Sequence, residues 1–286
     1  MSGLLTDFHT GPPTLVDGLA NAQIDCANRG LAYGDGLFET LPLDNGAPRR
    51  WSLHYARMRD GAARLFMPCP APETWLEDIT RVHHLGGGPP LAVLKLLLVR
   101  AAGSRGYAPP TEAGAIRIVQ LFRFPQARET GRVFVAITCA TPLGLNPRLA
   151  GVKHLNRLEQ VLGAREVALA DADEGVMCDV DGQPVSGTRA NLFIVRDGVV
   201  LTPPVVRAGI AGVMRARLLA HRGTVRVQEA ALSGDDLRHC DEMFFTNVLR
   251  GMESVDVLRL PEGERRLTRP VSARLCAELA VEGVLP

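Results

Sequence analysis

The sequence predicts an α+β protein of one large or two medium domains, and three observations carry that expectation. Strand-like and helix-like stretches alternate irregularly, which suits α+β better than a repeated strand–helix–strand array. Two β-rich runs, Asn191 to Val195 and Val199 to Leu201, flank Asp197-Gly198, a dipeptide that marks a tight hairpin. The length, 286 residues, exceeds a minimal domain and falls short of three. The polar, glycine-ended stretch from Pro125 to Gly131 is the candidate linker, dividing a domain at 1–125 from one at 132–286.

In order along the chain, Ile24 to Asp35 lacks periodicity and ends in a Gly-Asp-Gly turn, and Leu37 to Leu43 then reads as a strand. Ser52 is a plausible N-cap for a helix carrying Leu53, Ala56, Arg57, Ala63 and Leu65, ending before Pro68. Leu91 to Arg100 and Ala115 to Phe122 are apolar strands joined by a Gly/Pro-rich loop, and Val133, Val135 and Ile137 open the second half with strand alternation. Positions 155, 158, 161, 162 and 169 follow helical spacing. After the hairpin, a helix is expected from about Val213 to His221, strands at Thr224 to Val227 and Met243 to Thr246, and a last helix from Val271 to Val281 stopped by Gly283.

Composition removes several function classes. A formal net charge of +1 offers no basic surplus for nucleic acid or an anionic membrane. The N-terminus has no basic, then apolar, leader, and the longest apolar run, near Leu96 to Val99, is far too short to span a bilayer. The six cysteines are scattered singly without a CxxC pair, and the histidines form no HExxH, so neither a disulfide framework nor a metal site is expected. A reducing, cytoplasmic compartment follows.

Lys153 stands where a coil becomes a helix, among apolar neighbours, a setting that can depress a lysine pKa and make it an amine nucleophile. From residue types alone a solvated lysine is the commoner case. Lys95 competes, since it interrupts the apolar strand LAVLKLLLVR, where snorkelling to an edge explains it as well as catalysis does. Gly209-Ile210-Ala211-Gly212 precedes a helix whose leading amides suit an anion, and Arg57 offers a bidentate contact. GxxxxGK[ST], a complete GxGxxG and GxSxG are all missing, which disfavours a nucleoside triphosphatase, a dinucleotide enzyme and a serine hydrolase.

Five segments in order resemble the class IV aminotransferase family, the fold type IV pyridoxal-phosphate (PLP) enzymes. They are Asn28 to Thr40 (NRGLAYGDGLFET), Gly151 to Leu162 (GVKHLNRLEQVL), Ser186 to Val195 (SGTRANLFIV), Ala208 to Arg215, and Asp241 to Asn247 (DEMFFTN). The resemblance implies two α+β domains of the D-amino-acid aminotransferase-like architecture, with PLP in the cleft between them, usually in a homodimer. It implies that Lys153 forms the Schiff base with PLP and moves protons. Arg57, in the pattern His54-x-x-Arg57, would bind the cofactor phosphate, with the amides of Val213 and Met214 on one side and Asn247 and Val248 on the other. Arg157 falls near the position that approaches the pyridine hydroxyl.

Within the family, KHLNRLEQVL and Ser104-Arg105-Gly106-Tyr107 resemble the aminodeoxychorismate lyases more than the branched-chain or D-amino-acid aminotransferases. Thr40 matches those lyases, where branched-chain enzymes tend to have glycine, and it is implied to assist proton transfer. The implied reaction converts 4-amino-4-deoxychorismate to 4-aminobenzoate and pyruvate for folate, with Arg105 and Tyr107 as candidate substrate contacts. One position departs from the pattern. Most members place a glutamate five residues before the asparagine of Asn191-Leu192-Phe193, and here that place holds Ser186. A hydroxyl can hydrogen-bond a neutral pyridine nitrogen but cannot hold its proton as firmly as a carboxylate. That favours an elimination over a transamination; an aminotransferase and a catalytically silent PLP-binding protein are the alternatives.

Overall fold

The structure is a computed structural model that describes residues 11–20, 22–101, 106–110, 113–126, 131–281 and 283. It has a mixed α and β architecture with three sheets, divided into two compact units. The first comprises Met1–Pro125 with Lys153–Asn156, and the second comprises Gln126–Val152 with Arg157–Pro286. The four residues 153–156 thus group with the first unit, although they lie within the sequence range 132–286. Part of the candidate linker, residues 127–130, lies outside the described residues.

The first unit contains β1 (Thr14–Val16), β2 (Leu19–Ala20), α1 (Arg29–Tyr33), β3 (Gly36–Asp44), β4 (Ala47–Pro48), α2 (Trp51–Arg64), α3 (Pro72–Leu85), β5 (Leu91–Arg100) and β6 (Ala115–Arg123). Its six strands form one antiparallel sheet in the order β2-β1-β6-β5-β3-β4. The period-2 alternation of β3 buries Leu37, Leu41 and Leu43, which pair across with Leu98, Leu94 and Ala92. Buried Met58 and Ala62 of α2 and buried Trp75, Ile79 and Val82 of α3 belong to this unit's core.

Local features around α1 and α2 differ from the sequence expectation. The helix after β4 begins at Trp51 rather than beyond Ser52, because Arg50 precedes it in the left-handed region (φ 55°) and takes the N-cap position without a side-chain cap. The unpatterned stretch before Gly34 contains α1, with the Asn28 side chain accepting from the amides of Gly30 and Leu31.

The second unit contains β7 (Val135–Thr138), α4 (Leu158–Leu169), β8 (Glu174–Cys178), β9 (Pro184–Gly187), β10 (Asn191–Arg196), β11 (Val199–Thr202), α5 (Val213–Leu219), β12 (Val227–Glu229), α6 (Gly234–His239), β13 (Glu242–Asn247), β14 (Gly251–Ser254), β15 (Val257–Leu260), β16 (Gly263–Arg266) and α7 (Pro270–Val281). The strands form two five-stranded sheets, β12-β11-β10-β13-β14 and β16-β15-β7-β8-β9. β10 is apolar on both faces because both are covered. Leu192 and Ile194 pack with Ala136, Val176 and Leu258 of the other sheet, while Phe193 and Val195 pack with Met214, Leu218, Leu275 and Leu279 of α5 and α7. The turn after β10 has both Asp197 (φ 50°) and Gly198 (φ 74°) left-handed, as a two-residue hairpin of this hand requires.

Candidate active site

In the first unit the site is built on the face of β3 opposite its leucines. Phe38 and Thr40 lie there, half-buried. Residues 153–155 run beside this strand: the Phe38 amide donates to the Lys153 carbonyl (3.0 Å), the Leu155 amide donates to the Gly36 carbonyl (3.0 Å), and Leu37 bridges His154. This pairing sets the Lys153 Nζ 4.1 Å from the centroid of the Phe38 ring. The lysine is therefore held by a short strand-like segment, with an aromatic face against its ammonium. Thr40, two residues beyond Phe38, shares that face, and the ladder places Lys95 directly opposite Thr40. The side chain of Lys95 is half-buried and makes no hydrogen bond or ion pair among the described residues.

On the reverse face Glu39 is buried beneath α2 and takes three hydrogen bonds from two residues. Arg57 donates from Nε to Oε1 at 2.8 Å and from Nη2 to Oε2 at 2.5 Å. His54 Nδ1 lies 2.7 Å from Oε2. Burial alone would raise the Glu39 carboxyl. The Arg57 guanidinium and the hydrogen bonds from His54 and Arg57 outweigh that and hold it at about 2. His54 is lowered, first by burial, with the charges of Arg57 and Lys153 acting in the same direction and Glu39 opposing. The bidentate fork that the sequence suggests for an anion is thus made to Glu39.

Tyr107 packs its ring 5.3 Å from that of Tyr33, and its carbonyl accepts from Arg29 Nη2 at 2.6 Å. Arg29 also donates to the Gly106 carbonyl (2.8 Å) and to Asp35 (2.9 Å). Arg105 lies outside the described residues.

In the second unit Ser186 is a buried residue of β9, opposite Met177 of β8, and its Oγ donates to the Gly187 carbonyl at 2.8 Å. Glu174, near in sequence, is committed elsewhere. Its Oε1 accepts from the amides of Thr188 (2.8 Å) and Gly175 (3.0 Å) and from the Thr188 hydroxyl. Glu159 accepts from the Gly144 amide at 2.9 Å. Val213 and Met214 are buried at the start of α5, where leading amides have no acceptor within the helix.

The turn before α5 is held by Asn191, whose Nδ2 donates to the Ile210 carbonyl at 2.9 Å. A Cβ on Gly212 would collide with Asn191 Oδ1, so only glycine fits there. Asn247 ends β13 and accepts from the amides of Leu249 (3.0 Å) and Arg250 (2.8 Å), which fixes the turn containing Val248. Arg157 takes the N-cap position of α4, and burial lowers its pKa. Asn191 and Glu39 are organising residues that the sequence reading does not single out. Their signal is a polar side chain at a buried strand position.

A family model described as amino-transferase class IV matches residues 36–257. The aminodeoxychorismate lyase of Vibrio harveyi is 32% identical over 273 residues, 91% of this chain and 98% of the relative. The solved structure of 4-amino-4-deoxychorismate lyase from Pseudomonas aeruginosa superposes with a TM-score of 0.85 at 37% identity, covering 94% of this chain and 98% of that one. A T.th. branched-chain amino acid aminotransferase, solved with pyridoxamine 5′-phosphate, gives 0.80 at 25% identity, with coverage of 95% and 93%. The chain therefore belongs to the class IV aminotransferase family, whose cofactor is pyridoxal 5′-phosphate.

Proposed function

We propose that the protein is a lyase that converts 4-amino-4-deoxychorismate to 4-aminobenzoate and pyruvate in folate biosynthesis. The observation that carries this reading is the face of β3 that gathers Lys153, Thr40 and Lys95. The near full-length similarity to proteins named as that lyase supports it.

The residues present suit PLP. Lys153 would hold the cofactor through Nζ, Arg57 and the leading amides of Val213 and Met214 would take its phosphate, and Asn247 and Val248 would flank the phosphate. Arg157 would approach the ring hydroxyl, and Ser186 would meet the pyridine nitrogen. For that contact the Ser186 hydroxyl must turn its proton from the Gly187 carbonyl that it now serves. Bound there, PLP supplies an electron sink conjugated to the substrate's amine.

The chain's own groups do the rest. Lys153 would take the proton from the ring carbon that bears the substrate's amine, and Thr40 on the same face would assist the transfer. The enolpyruvyl carbon–oxygen bond then breaks, the ring becomes aromatic, and the departing enol gains a proton to become pyruvate. Lys95, a cation without an anion partner among the described residues, would receive a substrate carboxylate, as would Arg105, with Tyr107 beside it. A hydroxyl at Ser186 weakens the sink, which an elimination tolerates better than a transamination, because its charge leaves with the leaving group.

We also propose a homodimer, because Leu158, Val161, Leu162 and Leu169 of α4 are 78%, 60%, 52% and 73% exposed and form an apolar stripe. A cytoplasmic location accords with six free thiols. Among the described residues no helix is long and apolar enough to cross a membrane.

The test supplies PLP-loaded protein with enzymatically generated 4-amino-4-deoxychorismate and quantifies 4-aminobenzoate and pyruvate. Equimolar release that Lys153→Ala abolishes is the expected result. Amino-group exchange between amino acids and 2-oxo acids without 4-aminobenzoate would replace this reading with an aminotransferase, and no turnover of either kind with a silent PLP-binding protein.

A further inference from the structure

We propose that Glu39 and His54 are positioning residues for the cofactor phosphate: Glu39 fixes the plane of the Arg57 guanidinium, and His54 fixes Glu39. The proposal rests on Arg57 being the phosphate-binding arginine.

Glu39 stands in a row of β3 side chains that is otherwise leucine, and its cross-strand partner is Leu96. A carboxylate is costly in such a place unless its oxygens are engaged. Here Oε1 takes Arg57 Nε, and Oε2 takes both Arg57 Nη2 and His54 Nδ1. His54 and Arg57 are three residues apart on α2, so one helix face delivers both to the same carboxylate.

With the carboxylate ionised, His54 must donate to it, which places a proton on Nδ1. Its Nε2 is buried with no hydrogen-bond partner among the described residues. Nothing at Nε2 competes for the ring's orientation, so the bond to Glu39 sets it. Two parallel hydrogen bonds to one carboxylate leave the guanidinium one plane in which to sit. An arginine held this way before an anion arrives loses less freedom on binding, and the gain appears as affinity for the group that the arginine contacts. The contacts of Glu39 are to His54 and Arg57, so on this proposal the pair acts through Arg57 and its effect is confined to the phosphate.

That confinement gives the experiment. Apo protein is titrated with PLP and, separately, with pyridoxal, which lacks the phosphate, and both dissociation constants are read from absorbance. Glu39→Gln is expected to weaken PLP about tenfold or more and to leave pyridoxal within about twofold. His54→Leu should show a smaller loss of the same selectivity, and His54→Asn, which restores a donor, should recover it.

Arg57→Ala separates the two levels of the argument. If it leaves PLP affinity unchanged, the assignment of Arg57 to the phosphate fails. If it weakens PLP while Glu39→Gln does not, the support role alone is overturned. Should Glu39→Gln fail to fold by circular dichroism, Glu39→Asp decides, since it keeps the charge but draws the carboxylate one methylene back from the Arg57 fork. A loss confined to PLP supports the proposal, whereas an equal loss for PLP and pyridoxal, or no loss, overturns it.

Discussion

Lys95 shows what a single residue reveals only in three dimensions. In sequence it interrupts an apolar strand, and strand alternation says which side of the sheet it faces but not what else that side carries. The register supplies the rest: Lys95 is opposite Thr40, on the face that holds Lys153 over Phe38. The proposed substrate bears two carboxylates, and Lys95 has no anion partner among the described residues. Lys95→Met keeps the apolar stem and removes the charge. It is expected to raise KM for the lyase substrate about tenfold, with a smaller change in kcat. An unchanged KM would remove Lys95 from substrate recognition. Lys153 and Arg57 are legible in the sequence because each sits in a run of residues with a recognisable order. Glu39 is not, since its partners are 15 and 18 residues away on a helix. No local spacing announces a buried carboxylate that serves an arginine.

At the scale of elements, the best-read piece is the β10–β11 hairpin, whose turn demands two left-handed residues that Asp197 and Gly198 provide locally. Helix α3 goes unread in the sequence although Pro72 takes a first-turn position and Trp75, Ile79 and Val82 follow one face. Its last turn is His83-His84-Leu85 before three glycines, and the loop signal there obscures the helix that precedes it. The strand expected at Thr224 to Val227 forms later, at Val227–Glu229, where pairing with Val200 to Thr202 decides its position. Helix α4 teaches a different limit. Its apolar spacing identifies the helix, but Leu155 precedes it, Gly163 and Val167 are its buried residues, and Leu158, Val161, Leu162 and Leu169, which follow the spacing, are exposed. Periodicity reports that a face is apolar, not what covers it. If a second copy covers it, Leu158→Glu with Val161→Glu places like charges in the interface and should convert a dimer into a monomer by light scattering after size-exclusion chromatography. A wild-type monomer, or a double variant that stays dimeric, would refute that assignment.

The whole molecule is not a string of two independent pieces, because the chain enters the first unit twice. β4 pairs only with Leu43 and Asp44, so most of the outer edge of β3 would be open if that unit ended at Pro125. Residues 153–155 cover its first part, with hydrogen bonds to Gly36 and Phe38. An open strand edge next to an apolar core invites pairing between molecules. A fragment ending at residue 126 lacks this cover, together with Lys153, which lies in it. Such a fragment is expected to aggregate with rising concentration, seen as increasing light scattering, while a chain cut at the same place with both pieces expressed together remains dispersed. A fragment 1–126 that stays monomeric at high concentration would show that the edge is harmless. Position 153 would then be fixed by the cofactor's chemistry alone, whereas aggregation would mean that the segment bearing the lysine is also structural, so that the sheet and the active-site amine form together.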